Sequence, residues 1–166
     1  MKHLVTAAVL VLTAAPALAD DDGAFVTFQS LKPEVALEMA QAALESCREK
    51  GTQVGVTVVD RFGMPQVFLR DRFAGPHVYD VARRKAWTAV SFRSSTLEID
   101  AISQPGQLPY GLRQLNEALP LGGGLPVLNG EGSIVAGIGV SGAPSPEIDD
   151  ECAAAGIAAV EDQIAF

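Results

Sequence analysis

Two predicted β-hairpins constrain the fold of this chain most strongly. Each consists of a segment with alternating apolar residues, a turn and a second segment with the same alternation. Asp60-Arg61-Phe62-Gly63 forms the first predicted turn, and Asn129-Gly130, a dipeptide typical of tight hairpins, forms the second. Strands joined by short turns pair antiparallel, which excludes a doubly wound parallel sheet. The four predicted strands are Val54–Val59, Gln66–Arg70, Leu119–Leu128 and Ser133–Val140.

Helical patterns surround and separate the two hairpins. Ser95-Thr96-Leu97-Glu98 matches a capping box and predicts a short helix to about Ile102, whereas the prolines and glycines of Gln104–Glu117 exclude a long helix there. The order α, ββ, αα, ββ, α predicts an α+β domain whose helices cover an antiparallel sheet. The other predicted helices are Pro33–Lys50, Val78–Phe92 and Glu147–Ile164.

The first residues have the pattern of a secretory signal peptide. Lys2 gives a basic start, Leu4–Ala15 is an apolar run too short to span a bilayer, and Ala17-Leu18-Ala19 is a small-x-small cleavage pattern. We therefore assign residues 1–19 to a signal peptide, 20–32 to an N-terminal arm and 33–166 to a single domain. This organisation predicts a periplasmic or secreted protein.

Acidic residues outnumber basic ones in this chain. The sequence holds 12 Lys and Arg against 20 Asp and Glu, for a net charge of −8. Such a balance disfavours nucleic acid and anionic lipid as partners, because like charges repel. No second apolar stretch approaches membrane length, so we expect no membrane insertion.

The two cysteines, Cys47 and Cys152, both lie on predicted helices. An exported protein can form a disulfide, yet two small buried thiols explain the same pattern, and both alternatives stay open here. No Cys-x-x-Cys-His motif is present, which excludes covalent attachment of a c-type haem.

Three further motifs have both a functional and a structural interpretation. Gly137–Gly142 matches the spacing G-x-G-x-x-G, but no helix opens directly after it, so close backbone packing is the better explanation. Gly122-Gly123-Gly124 either presents open backbone N–H groups to an anion or forms a bulge in a strand. The acids of Asp149-Asp150-Glu151 are best explained as complements to a helix N-terminus.

His77 is the only histidine after the predicted signal peptide. It follows Gly75-Pro76 at the start of a predicted helix, where it either caps a turn or contacts a ligand. On that helix Tyr79, Arg83 and Trp87 share one face, typical of an aromatic, cationic wall for a flat anionic ligand or of a subunit interface. Arg84 pairs at helical spacing with Asp80, so charge balance is the alternative to a ligand role for Arg84.

Five stretches in order resemble the GlcG/HbpS family, a haem-binding group related to the C-terminal domain of PduO-type proteins. The resemblance implies a profilin-like fold, an antiparallel sheet flanked by helices, and homo-oligomers. The glycine- and alanine-rich segments Gly137–Gly142 and Ala153–Ala159 also suit contacts between subunits. The stretches are "LKPEVALEMAQAALESCREKG", "VGVTVVDRFGMPQVFLRD", "AGPHVYDVARRKAWTA", "LPLGGGLPVLNGEGSIVAGIGVSG" and "DDECAAAGIAAV".

Together these features predict an exported protein that binds haem non-covalently for sequestration, transport or sensing. His77 is the predicted iron ligand, and Arg72, Arg83 or Arg84 would meet the propionates. The predicted binding residues are His77, Tyr79, Arg83, Arg84, Trp87, Gly122, Gly123 and Gly124. The fallback iron ligands are Tyr79, Tyr110, Met39 and Met64.

Two other functions fit the same sequence. In one, the segments around His77 and Gly122–Gly124 form a pocket for another small anionic ligand, an organic acid, in a binding module or an enzyme. In the other, the chain is an accessory subunit of a periplasmic oxidoreductase or a partner of a sensor. No catalytic pair of residues stands out, so whether the chain is an enzyme stays open, with binding favoured over catalysis.

Overall fold

The computed structural model describes residues 23–166, so the predicted signal peptide and Asp20 lie outside the described residues. The described chain follows the predicted order of helices and hairpins, except that the predicted helix Glu147–Ile164 is interrupted at residues 159–160 and forms two helices. The elements are α1 (Pro33–Glu49), β1 (Gly55–Asp60), β2 (Pro65–Arg70), α2 (Val78–Phe92), α3 (Thr96–Ile102), a 3₁₀ helix (Leu108–Gln114), β3 (Gly124–Leu128), β4 (Ile134–Ser141), α4 (Pro146–Ala158) and α5 (Glu161–Ile164).

The four strands form one antiparallel sheet in the order β2-β1-β4-β3. Each predicted hairpin is present, and β1 and β4 join the two hairpins at the centre of the sheet, with Gly55 opposite Ser141. The predicted α+β class, an antiparallel sheet flanked by helices, is therefore confirmed. Among residues 23–166 no helix is both long enough and apolar enough to cross a bilayer.

Alternation along β4 creates two different faces of the sheet. Ile138 and Val140 point into the main core with α1 and α4, whereas Gly137 and Gly139 lie beneath α2. A Cβ atom on Gly139 would collide with the backbone carbonyl of Ala82, so only glycine admits α2 at this distance. The packing explanation of Gly137–Gly142 is thereby confirmed. Gly137 and Gly139 are buried within one chain and are not available for the predicted contact between subunits, whereas Gly142 is exposed, so its use there stays a prediction.

On the opposite face of the sheet, α1 and α4 pack closely through small residues. Gly156 of α4 lies against the carbonyl of Met39 and the methyl group of Ala43. Cys47 and Cys152 join the same two helices through a disulfide, so the open alternative is decided in favour of the bond. The segment Ala153–Ala159 therefore also serves this internal contact through its buried members Ala153 and Gly156.

The second hairpin differs from the predicted one in its turn and its first strand. The Asn129 N–H donates to the Ser133 carbonyl at 2.9 Å, and Gly132, not Gly130, adopts a left-handed φ of 78°. The loop therefore spans residues 129–133, because the Asn129 side chain accepts the N–H groups of Glu131 and Ser133. The predicted strand Leu119–Leu128 begins only at Gly124, since the preceding glycines turn towards α4.

The N-terminal arm is held against the domain near its end. The Phe28 ring meets the edge of Phe62, with ring centroids 5.0 Å apart. The Gln66 amide donates to the Leu31 carbonyl at 3.0 Å, and the Asn129 amide donates to Gln29 at 2.7 Å. The arm has no helix or strand before Pro33, yet from Phe28 onwards it is part of the packed structure.

A buried ion pair connects α2 to α4 beside the end of β4. Lys85 Nζ lies 2.7 Å from Asp149 Oδ2 and donates to the Val140 carbonyl at 2.9 Å. The two side chains are only 1% and 5% exposed. Asp149 also accepts the Ala143 N–H at 3.0 Å. Burial lowers the pKa of Lys85 and raises the pKa of Asp149, and the contact between the two opposes both shifts.

This pair corrects the explanation of the acidic cluster as simple complements of a helix N-terminus. Asp149 neutralises Lys85, Asp150 accepts the Gly123 N–H at 3.2 Å, and Glu151 pairs with Lys50 at 2.8 Å. Each acid therefore has its own partner. Among residues 23–166 no group of three or more His, Cys, Asp or Glu residues is placed to hold a metal ion.

Removal of the disulfide should lower stability markedly. The bond joins residues 105 apart in the sequence, so it restricts the unfolded chain strongly. We expect the Cys47→Ala/Cys152→Ala double variant to lose about 2–5 kcal/mol of unfolding free energy in urea titrations. Addition of reductant should destabilise the parent by a similar amount and leave the variant unchanged. Equal urea midpoints for parent and variant would contradict this expectation.

Removal of one member of the buried pair should cost more than removal of both. Lys85→Met leaves the Asp149 carboxylate buried without its cation, and we expect a loss of about 3–5 kcal/mol in unfolding free energy. Lys85→Met/Asp149→Asn should be less destabilised, because no buried charge remains. Lys50→Met, which breaks an exposed pair, is the control and should lose less than about 1 kcal/mol. Similar losses for Lys85→Met and Lys50→Met would refute the role of burial.

Candidate functional site

His77 lies at the position that precedes the first residue of α2. Its carbonyl accepts the Val81 N–H at 3.1 Å, whereas its side chain makes no capping hydrogen bond. The imidazole is exposed and packs over Gly75, where an added Cβ would lie 2.6 Å from ring atom Cε1. Within residues 23–166 neither ring nitrogen has a hydrogen-bond partner, so the side chain is open to a ligand.

The aromatic members of the predicted stripe contact the β1–β2 hairpin. Tyr79 is 47% exposed and meets the edge of the Phe68 ring, with centroids 4.8 Å apart. Trp87 covers Gly63 in the turn, where an added Cβ would lie 2.5 Å from the indole atom Cδ1. Tyr79 therefore retains an open surface near His77, while Trp87 is partly enclosed two turns farther along α2.

Arg83 and Arg84 are held by the segment that precedes β3. Arg83 contacts Glu117 at 2.6 Å and Asp80 at 3.1 Å, and the hydrogen bond to Glu117 raises the pKa of its guanidinium. Arg84 donates to the Ala118 carbonyl at 2.9 Å, with Asp80 at 3.8 Å. Both guanidinium groups thus attach residues 117 and 118 to α2, and a ligand anion would compete with these contacts.

Gly122, Gly123 and Gly124, at the start of β3, are buried among other groups. The Gly123 N–H donates to Asp150 and the Gly124 N–H donates to the Thr96 hydroxyl at 2.8 Å. A Cβ atom on Gly122 would collide with Leu97, so this position is closed as well. The anionic group at this loop is therefore the side-chain carboxylate of Asp150. Burial raises the pKa of this carboxyl group.

The glycines and His77 do not meet along α2. Gly123 lies beside Lys85, and Lys85 is eight residues beyond His77, or about 12 Å along a helix axis. The structure brings together His77 and Tyr79 at one end of α2, and Gly122–Gly124 with Lys85 on its inner face. A ligand role for each of the predicted site residues stays a prediction.

One fallback iron ligand is ruled out by its position. Met39 is completely buried between α1 and α4, so the assignment of its thioether as an available ligand is wrong. Met64 and Tyr110 are exposed, at 64% and 40%. Arg72, also exposed, forms no ion pair with any residue of the described range.

Sequence reasoning missed the buried Lys85–Asp149 pair, although a signal for it was present. Val78, Ala82, Ala86 and Ala89 mark the inner face of α2, and Lys85 lies on that face at helical spacing. A lysine in an apolar stripe requires a buried acid, because an unpaired buried charge is too costly. The sequence does not show which of the 20 acidic residues supplies it.

Solved structures of several other proteins have the same fold. A double mutant of HbpS from Streptomyces reticuli is 41% identical, with a TM-score of 0.76 over 88% of this chain and 97% of that one. The ORFY protein of Klebsiella pneumoniae is 32% identical, with a TM-score of 0.79 over 82% and 94% of the two chains. A PduOC–haem complex is 32% identical, with a TM-score of 0.73 over 78% and 94%.

Two curated relatives are longer proteins. The corrinoid adenosyltransferases PduO of Salmonella typhimurium and Citrobacter freundii are each 33% identical over 125 residues, which is 74% of this chain. The chain spans 37% of the length of these relatives. Residues 31–158 match the family model described as haem-degrading protein, HbpS-like. The chain therefore belongs to the HbpS-like family.

Proposed function

We propose that this chain binds haem non-covalently, with His77 as the axial ligand of the iron. The observation that carries the proposal is the exposed imidazole of His77, whose ring nitrogens have no partner within residues 23–166. Membership of the HbpS-like family and the haem complex of a chain 32% identical support it. Histidine is the commonest strong protein ligand of haem iron, which fits the chemistry of this site.

The groups around His77 suit the rest of a haem molecule. The half-exposed ring of Tyr79 offers an aromatic surface beside the imidazole. Of the three arginines predicted to meet the propionates, Arg72, five residues before His77 in the sequence, is the most available, because Arg83 and Arg84 already contact Glu117, Ala118 and Asp80. Bound haem would supply an iron centre, and the residues of this chain would orient it and balance its charge.

We further propose sequestration, transport or sensing of haem outside the cytoplasm as the role of the protein. The predicted signal peptide supports an exported location, and the Cys47–Cys152 disulfide suits an oxidising compartment. We also propose a homo-oligomer, for which the family resemblance is the support. The buried members of the small-residue segments do not contribute to this argument, because they pack inside the chain, whereas exposed members such as Gly142 and Ala158 are available for contacts between subunits.

Replacement of His77 should weaken haem binding without loss of the fold. In haem titrations the parent should develop a Soret band and quench the fluorescence of Trp87, the only tryptophan. His77→Ala should bind at least about tenfold more weakly with a shifted Soret band, because the iron loses its ligand. The far-UV spectrum and urea midpoint should stay unchanged, since the side chain makes no hydrogen bond.

Two matched variants distinguish the alternatives. Tyr110→Phe and Met64→Ala remove two of the three exposed fallback ligands, and each should leave the Soret band of the parent. A parental spectrum and affinity for His77→Ala would show that His77 is not the ligand. A parent that develops no Soret band at micromolar haem would overturn the proposed function itself.

Export predicts a defined mature N-terminus. The protein recovered from its own periplasm or culture medium should begin at Asp20, because Ala17-Leu18-Ala19 directs cleavage after Ala19. Intact mass spectrometry decides this, and retention of residues 1–19 would contradict it. Light scattering on the same sample measures the subunit number, and a monomer mass throughout the micromolar range would refute the proposed oligomer.

A further inference from the structure

A cavity of about 460 Å³ lies at the C-terminal end of α2, far from His77. Two arginines, Arg61 and Arg93, and two serines, Ser91 and Ser133, line it together with Ile134 and neighbouring apolar groups. His77 and Arg93 are separated by the length of α2, about 24 Å along a helix axis. The cavity is thus separate from the proposed haem site.

Aromatic rings hold Arg61 at this cavity. Its guanidinium carbon lies 4.9 Å from the centre of the Phe28 ring and 5.6 Å from that of Phe62. Within residues 23–166 the Arg61 guanidinium forms no side-chain hydrogen bond or ion pair, so its N–H groups stay available for an acceptor. Glu131 lines an adjoining recess with Arg61 but forms no ion pair with it.

Arg93 occupies an unusual backbone conformation for an arginine. It ends α2 in the left-handed region, with φ of 57°, and is the only residue other than glycine with a positive φ among residues 23–166. Glycine is the usual choice at such a helix end, and a side chain there costs conformational energy. Such an outlier points to a use for the side chain beyond the turn itself.

The charges of this cavity contrast with those of the chain. The sequence carries a net charge of −8, yet two guanidinium groups line one cavity, and within the described residues neither belongs to an ion pair. Arginine forks match the paired oxygen atoms of carboxylate and phosphate groups. A positively charged recess in an acidic protein favours a small anion as its occupant.

We propose that Arg61, Arg93, Ser91 and Ser133 form a second binding site, for a small oxyanion with carboxylate or phosphate groups. The guanidinium groups supply charge and paired donors, and the serine hydroxyls supply further donors. The structural alternative is that Arg93 only complements the negative end of the α2 dipole. That alternative requires no contribution from Arg61 and no bound anion.

Calorimetric titration of the full protein with inorganic phosphate and, separately, with malonate tests the proposal. We expect saturable binding of at least one of the two, and the preferred probe identifies a phosphate or a carboxylate ligand. Arg61→Gln and Arg93→Gly should each weaken binding by about tenfold or more, because each removes a charged donor. Lys50→Gln, which removes the same charge elsewhere on the surface, should bind as the parent does.

The Arg93→Gly variant keeps the test independent of folding. Glycine suits the left-handed conformation, so this variant should unfold at an equal or higher urea concentration while it loses binding. Its Soret band with haem should match that of the parent, because His77 is unaffected. Absence of heat for both anions with the parent, or parental affinity in Arg93→Gly, would overturn the second site and leave the haem proposal standing.

Discussion

The close approach of α2 to the sheet is the constraint on which the rest of the structure depends. Gly137 and Gly139 give α2 room, since any side chain on Gly139 would collide with the Ala82 carbonyl. Lys85 then reaches from α2 past β4 to Asp149 on α4. A buried charge requires a partner of opposite charge, so the Lys85–Asp149 pair fixes α2 and α4 relative to each other. Gly122–Gly124, at the start of β3, are buried at the same junction.

This constraint decides which side chains of α2 are available for chemistry. Because Val78, Ala82, Lys85, Ala86 and Ala89 are turned towards the sheet, the other face and both ends of the helix remain for ligands. His77 projects at one end beside Tyr79. Arg93 projects at the other end, beside the β1–β2 turn that carries Arg61. Two sites of different chemistry can therefore share one helix without mutual interference.

Much of the fold follows from the sequence alone, since local signals agree with the final packing. The bounds of α2, the Ser95 capping box and the antiparallel order of the hairpins match the structure. The exceptions depend on distant contacts. The strand before Leu128 is short because Gly122 and Gly123 turn towards α4, and the Asn129 loop widens because its side chain accepts two backbone N–H groups.

The site was less predictable than the fold. Helical spacing predicts that Tyr79, Arg83 and Trp87 share one face. It cannot show that the Arg83 guanidinium already forms an ion pair with Glu117. Nor can it show that Arg61 and Arg93, which lie 32 positions apart in the sequence numbering, line one cavity. Each of these facts depends on which segments meet in space, whereas periodicity reports only on neighbours along the chain.

The position of the disulfide also has a consequence for biogenesis. Cys47 lies in the first helix of the domain and Cys152 in α4, so a chain made from its N-terminus cannot close the bond until nearly all of the domain has emerged. The sequence contains no other cysteine, so no wrong pairing within one chain competes with it. Oxidation is therefore a late step, and an unpaired Cys47 indicates a chain whose synthesis or folding is incomplete.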